Sequence, residues 1–154
     1  MPIRDAQPDD LAEIAALIRA LADYEQLAHE VVWDAATLRE TLFGPDAVPK
    51  VLLAETADAR IAGMALWFRT YSTFLGQPGI WLEDLFVSPE FRGQGHGRAL
   101  LAALRERTPY RVEWSVLDWN EPAQGFYRAL GAFPMDAWTT WRWLSDDESD
   151  AHCA

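Results

Sequence analysis

The residues best suited to chemistry lie in one run: Glu83-Asp84-Leu85-Phe86-Val87-Ser88-Pro89-Glu90-Phe91-Arg92-Gly93-Gln94-Gly95-His96-Gly97-Arg98-Ala99-Leu100-Leu101. It reads as a strand, a Ser-Pro turn, a loop of three alternate glycines and then an apolar-periodic helix. Glycines let backbone N–H groups close on a ligand, and the start of a helix adds partial positive charge. Such a cradle suits an anion, most often a phosphate or pyrophosphate. A P-loop needs Lys-Ser or Lys-Thr after its glycines, and neither pair occurs in the chain. A dinucleotide fingerprint needs Gly-x-Gly-x-x-Gly directly after its strand. Here Gly93, Gly95 and Gly97 run Gly-x-Gly-x-Gly beyond the Ser88-Pro89 turn. The pattern that fits is Arg/Gln-x-x-Gly-x-Gly/Ala, filled by Arg92, Gly95 and Gly97.

A second group is Asp118-Trp119-Asn120-Glu121-Pro122-Ala123-Gln124-Gly125-Phe126-Tyr127-Arg128-Ala129-Leu130-Gly131. Asn120 is a good N-cap and Pro122 suits a first turn, so a helix opens here directly after a strand. Gly131, one turn past Tyr127, can end it in a left-handed conformation. Taken alone, the segment needs no more than a well-capped helix with its aromatics in the core.

These groups require elements to hold them. Pro2 to Ala6 reads as an edge strand, and Leu11, Ile14, Leu17, Ile18 and Leu21 mark one face of a helix. Asp34 caps a second helix through Leu38 and Leu42, stopped at Gly44-Pro45. Val51–Glu55 and Ile61–Tyr71 form a hairpin pair about Asp58-Ala59-Arg60, and Ile80–Val87 is a third core strand. The helix after the glycines carries Leu100, Leu101 and Leu104 and ends near Thr108-Pro109. Arg111–Leu117 reads as a strand, Pro122–Leu130 as a helix and Trp138–Leu144 as a last strand. The order gives an α+β fold, a sheet with helices packed on its faces. Residues 1–144 are expected to form a single domain, and 145–154 an acidic, flexible tail.

Composition narrows the partners. The chain has 154 residues, a length that suits one core. Its net charge of −11 excludes nucleic acid, which needs clustered Lys and Arg, and is compatible with a cationic ligand. The single cysteine, Cys153, excludes an internal disulfide framework. His29 and His152 have no ligand spacing, so no metal is expected. No signal segment or long apolar span is read, which points to a cytoplasmic protein and no membrane partner.

The Arg92–Gly97 loop resembles the acyl-CoA loop of the GCN5-related N-acetyltransferases. Glu83-Asp84-Leu85-Phe86-Val87, Trp119-Asn120-Glu121-Pro122, Phe126-Tyr127 and Leu17–Glu25 are similar to the diamine (spermidine/spermine) N-acetyltransferase subfamily, a likeness that runs nearly to Trp143. The resemblance implies a mixed, mostly antiparallel sheet with helices on both faces, acetyl-CoA as cosubstrate, a small cationic diamine- or polyamine-like acceptor, and a homodimer. The tryptophan-rich end (Trp138, Trp141, Trp143) offers apolar surface for that dimer or else belongs to the core. The cofactor side falls to Leu85, Phe86, Val87, Arg92, Gly93, Gln94, Gly95, His96, Gly97, Arg98 and Asn120. The acceptor side falls to Tyr24, Glu25, Glu83, Glu113, Trp114 and Ser115. Where polyamine enzymes of the subfamily carry a Trp, this chain has Thr73-Phe74-Leu75-Gly76. Acceptors such as thialysine, an antibiotic or a xenobiotic amine are the alternatives, as is a CoA-binding module without turnover.

The implied reaction sets demands on the residues. An alkyl ammonium has a pKa of roughly 10.4, so about one molecule in 2,500 is nucleophilic at pH 7. A base is needed, and the resemblance assigns it to Glu83, acting through a water. Strand alternation predicts that Glu83 and Asp84 point to opposite faces. Backbone N–H groups of Leu85 to Val87 can serve an oxyanion if the strand is splayed. Tyr127 is the expected proton donor to the departing thiolate. With no Ser-His or Cys-His pairing suggested, direct transfer is expected rather than an acyl-enzyme. His96 is expected to lend only its backbone N–H, with its ring exposed.

Overall fold

The computed structural model describes residues 2–145, so the acidic tail expected after Ser145, with His152 and Cys153, lies outside the described residues. The chain falls into two compact units, one up to Trp114 and one from Ser115 onward.

The first unit is a five-stranded sheet in the order β1-β2-β3-β4-β5. The strands are β1 (Ile3–Asp5), β2 (Lys50–Glu55), β3 (Ile61–Ser72), β4 (Gln77–Val87) and β5 (Val112–Glu113). Neighbours are antiparallel except β4 and β5, which are parallel. The mixed, mostly antiparallel α+β architecture expected from the sequence is therefore present.

Helix α1 (Leu11–Tyr24) turns Ile14, Ala15, Leu17 and Leu21 inward, and α2 (Ala35–Phe43) adds Leu38 and Leu42. Asp34 caps α2, accepting from the Thr37 N–H at 2.8 Å. Both helices pack on Val51, Leu53, Met64, Leu66 and Phe86 from one face of the sheet. Period-2 alternation sends Leu52, Ala65 and Trp67 to the other face, where α3 (His96–Glu106) lies against β1 to β4 with Leu100 and Leu104 fully buried. Each such leucine contributes about 1.5–3 kcal/mol of apolar burial. This is the packing that fixes the start of α3 beside the end of β4.

One irregularity in the β3–β4 ladder matters for the site. Leu66 stands opposite Asp84 and Trp67 opposite Leu82, so Glu83 is an extra residue on β4, a β-bulge.

Two expected strands differ from what forms. Arg111–Leu117 contracts to Val112–Glu113, paired with Ile80 and Trp81 alone. The bulge follows at once on β4 and interrupts the edge that a longer β5 would pair with. Trp138–Leu144 forms no strand, and Trp138, Trp141 and Trp143 are 73, 91 and 99 % exposed. Aromatic content favours a strand only where a ladder partner and a packing surface exist. The core alternative for these tryptophans is thereby removed. The second unit's helix, α4 (Glu121–Ala129), forms as expected from its cap.

Candidate active site

The bulge decides where the β4 carboxylates point. Trp81 Nε1 donates to Glu83 Oε2 at 2.8 Å, which puts both side chains on one side of the strand. Trp81 faces Phe68, and Asp84 faces Leu66 two residues away, so Asp84 shares that side. The expectation of opposite faces is corrected: the extra residue resets the alternation, and both carboxylates face the side covered by α1.

Glu25 joins them from the end of α1. That helix closes in a Schellman motif, with Gln26 N–H on the Asp23 carbonyl (3.1 Å) and Leu27 N–H on the Ala22 carbonyl (2.8 Å). The motif needs a left-handed residue, and Gln26 supplies it at φ 62°. Tyr24 and Glu25 are thus held at a sharp, defined helix end. Burial raises the Glu25 carboxyl above its ordinary range. Burial first, then the charges of Glu83 and Glu25, push Asp84 up to about 7. Asp84 itself is half-buried and makes no ion pair or hydrogen bond among the described residues. A carboxyl in that state is suited to accepting a proton near neutral pH, or to receiving a cation.

The edge of β4 beyond Trp81 has no ladder partner in this unit, because β5 pairs only with Ile80 and Trp81. Ser88 N–H donates to the Ala62 carbonyl of the β3 side at 2.9 Å. Alternation then turns the Phe86 N–H towards β3 and those of Leu85 and Val87 outward. These two donors at a splayed edge are what an acyl oxygen requires. The Phe86 side chain belongs to the core and its N–H is turned to β3, so the outward donors here are those of Leu85 and Val87.

The loop that follows turns through Pro89–Phe91 and then through Gly93 (φ 75°) and Gly95 (φ 88°), the N-cap of α3. These angles strain any residue with a Cβ. A Cβ at Gly93 would meet nothing within 4 Å, so the outer side of the loop is open to a ligand. The first α3 N–H groups, at His96, Gly97 and Arg98, have no intrahelical acceptor and carry the positive end of the helix dipole. The loop therefore fits the pyrophosphate of a coenzyme. Gln94 Nε2 donates to the Glu90 carbonyl at 3.2 Å, and Arg98 is exposed. His96 departs from expectation. Its ring is buried, 4 % exposed, and packs edge-on against Phe91 at 6.1 Å, because the first residue of α3 is turned in beneath the loop.

The remaining expected residues are placed as follows. Glu113 of β5 is neighbour to Trp81 in register and its carboxylate pairs with Arg111 at 3.0 Å. Trp114 ends the first unit and Ser115 begins the second. In the second unit Asn120 is buried and its Oδ1 accepts from the Ala123 N–H at 3.3 Å, capping α4. Tyr127 lies half-buried on α4 beside Phe126, ring centroids 5.4 Å apart. The structure brings together Tyr24, Glu25, Glu83 and the glycine loop. It adds Asp84, which sequence alternation had sent to the other face; two adjacent carboxylates in an apolar strand were the available signal.

Among the described residues no group of three His, Cys, Asp or Glu side chains could hold a metal ion, and no helix is long and apolar enough to cross a membrane.

Comparison with known proteins shows the family and the fold. The sequence profile of the acetyltransferase (GNAT) family matches residues 15–132. The chain is 37 % identical over 141 residues to the thialysine N-epsilon-acetyltransferase of Bos taurus, covering 84 % of this chain and 82 % of that protein. It is 28 % identical over 149 residues to the human spermidine/spermine N(1)-acetyltransferase-like protein 1, covering 90 % of this chain and 21 % of the other. Among solved structures, an integron cassette protein from the mobile metagenome of V. cholerae superposes with a TM-score of 0.76 at 21 % identity, covering 94 % of this chain and 93 % of that one.

Proposed function

The chain belongs to the acetyltransferase (GNAT) family and is an N-acetyltransferase, and on that premise we propose that it acetylates the terminal primary amine of a small aliphatic acceptor, a lysine-like amino acid of the thialysine type. The acetyl donor is acetyl-CoA, which supplies an activated thioester when bound. The observation that carries an ammonium-bearing acceptor is the Asp84 carboxyl, half-buried beside Glu83 and Glu25 with no cation of its own, and the likeness to thialysine N-epsilon-acetyltransferase supports the amino-acid class.

In this reading Glu83 and Glu25 receive the ammonium, and Asp84 takes its proton as the amine becomes nucleophilic. Asp84 replaces Glu83 as the base because a carboxyl near 7 is matched to working pH, whereas Glu83 is exposed and bonded to Trp81. The outward N–H groups of Leu85 and Val87 receive the acyl oxygen as charge develops on it. Backbone groups of Gly93 to Arg98 receive the pyrophosphate. From the second unit, Asn120 is assigned to the pantetheine arm and Tyr127 to protonation of the leaving thiolate. Attack is direct, within a ternary complex.

A diamine or polyamine is the second reading, favoured by the excess of negative charge at this end of the sheet. The exposed Trp138, Trp141 and Trp143 we assign to contact with a second copy of the chain.

Thiol release from acetyl-CoA across thialysine, lysine, ornithine, putrescine, spermidine and an aminoglycoside tests the proposal. Turnover confined to the amino acids supports it, and turnover confined to spermidine or putrescine moves the assignment to the second reading. Silence across the panel with acetyl-CoA still bound would overturn both.

A further inference from the structure

Arg92 fills the first position of the loop pattern, a position that the family resemblance gives to the cofactor side, yet its side chain is engaged elsewhere. Its Nε donates to the Val87 carbonyl at 2.9 Å. Its guanidinium carbon lies 5.1 Å from the centroid of the Tyr24 ring and 5.5 Å from that of Phe86. Both distances fall within the roughly 6 Å over which a cation is drawn to an aromatic face. Among the described residues no carboxylate forms an ion pair with it. The three partners belong to different parts of the fold. Val87 and Phe86 end β4, Tyr24 ends α1, and Arg92 itself opens the glycine loop.

We propose that Arg92 is a positioning residue that fastens Tyr24, and with it Glu25, to the coenzyme loop, so that the acceptor end of the site is ordered through the loop rather than by α1 alone. The inference rests on the reading that Tyr24 and Glu25 line the amine site. Three features support it. The planar guanidinium can stack on a ring while Nε holds a carbonyl in its plane, which lysine cannot do. Tyr24 is 38 % exposed and sits at the last turn of α1, next to the left-handed Gln26, within reach of the guanidinium. The bond to Val87 anchors the guanidinium to the residue whose outward N–H is assigned to the acyl oxygen. An Arg92 that served the phosphates alone would need neither ring.

The test uses the full chain with Arg92→Gln, Arg92→Lys, Tyr24→Leu, Tyr24→Phe and the Arg92→Gln/Tyr24→Leu pair. The first readout is the Arg92 Nε–Hε signal by 1H–15N NMR, which requires no turnover. Stacking on the rings should shift this signal upfield in the parent and in Tyr24→Phe, and Tyr24→Leu should return much of the shift. A parent signal at the ordinary arginine position, or one that Tyr24→Leu leaves in place, overturns the clamp. The second readout is steady-state kinetics. Arg92→Gln should raise the amine KM about fivefold while the Kd for coenzyme A stays within about twofold, the scale of one partly exposed cation–π contact. Arg92→Lys should fail to restore the parent value. The double variant should be no worse than the poorer single variant, since both remove the same contact. A tenfold loss of coenzyme affinity with an unchanged amine KM would make Arg92 a phosphate ligand and end the proposal, as would additive effects in the double variant. If the parent acetylates no amine in the panel, the functional reading fails separately, and the NMR signal alone decides whether the clamp exists.

Discussion

In the proposed reaction, Asp84 is the one carboxyl on which proton transfer depends. Held near 7 by burial and by Glu83 and Glu25, it is largely protonated below neutrality and becomes a base above it. kcat/KM should therefore rise with pH through about 7, and Asp84→Asn should remove that step and lower kcat at least tenfold. A pH–rate profile of the variant that retains the step would clear Asp84 of the role. The same group sets a stability signature. Its pKa is higher in the folded chain (about 7) than its ordinary value (3.8), so the folded state binds more protons between these values. Stability from this group is thus full below the lower value and lost as pH rises through the upper one. Asp84→Asn should be more stable than the parent by up to about 4 kcal/mol at pH 8, with the gap closing towards pH 4, in paired urea titrations. A stabilised but inactive variant is what a strained functional group gives. The adjacent carboxylates were a signal in the sequence, but their shared face was not legible from residues 83 and 84 alone. The extra residue of a bulge is defined by the partner strand, and nothing local to β4 announces where β3 will place it.

At the scale of the element, local rules carried far. Asn120 and Asp34 were readable as caps because capping depends on residues three apart in sequence. Gly93 and Gly95 were readable as a turn for the same reason, and both adopt the angles that only glycine adopts without strain. Gly95→Val should consequently weaken coenzyme A binding at least tenfold by calorimetry while α3, anchored by Leu100 and Leu104, keeps its helical signal; unchanged binding would sink the cradle. The Schellman turn at the end of α1 gave less warning, since glutamine is not the residue that turn favours. Gln26→Gly should relieve its positive φ and raise stability by about 0.5–1 kcal/mol in thermal or urea unfolding. If the strain also keeps Tyr24 and Glu25 in place, the amine KM will rise in the same variant. His96 shows the limit of such rules. Its backbone role followed from the loop, but the burial of its ring depended on Phe91 and on how the first turn of α3 meets the sheet.

Among the described residues, the tryptophans after α4 are exposed side chains that neither residue nor element explains. Trp138, Trp141 and Trp143 lie in a segment with no ladder partner and are almost fully exposed, together with Phe133 at 77 % and Met135 at 53 %. An aromatic side chain buries roughly 150–250 Å² when covered, so the three tryptophans alone could bury about 600 Å². A stable interface takes about 800 Å² from each partner. If covered together by a second copy, these side chains supply area of the scale such a contact needs. The net charge of −11 opposes self-association at long range, so a dimer contact of this kind would be apolar at its centre and would strengthen as salt screens the repulsion. Sedimentation at micromolar concentration should show a dimer whose dissociation constant falls between 50 and 500 mM NaCl. The combined Trp141→Ser/Trp143→Ser variant should sediment as a monomer with the sheet's unfolding transition retained. A parent that stays monomeric at both salt concentrations would refute the homodimer and return these tryptophans to an open question about what else covers them.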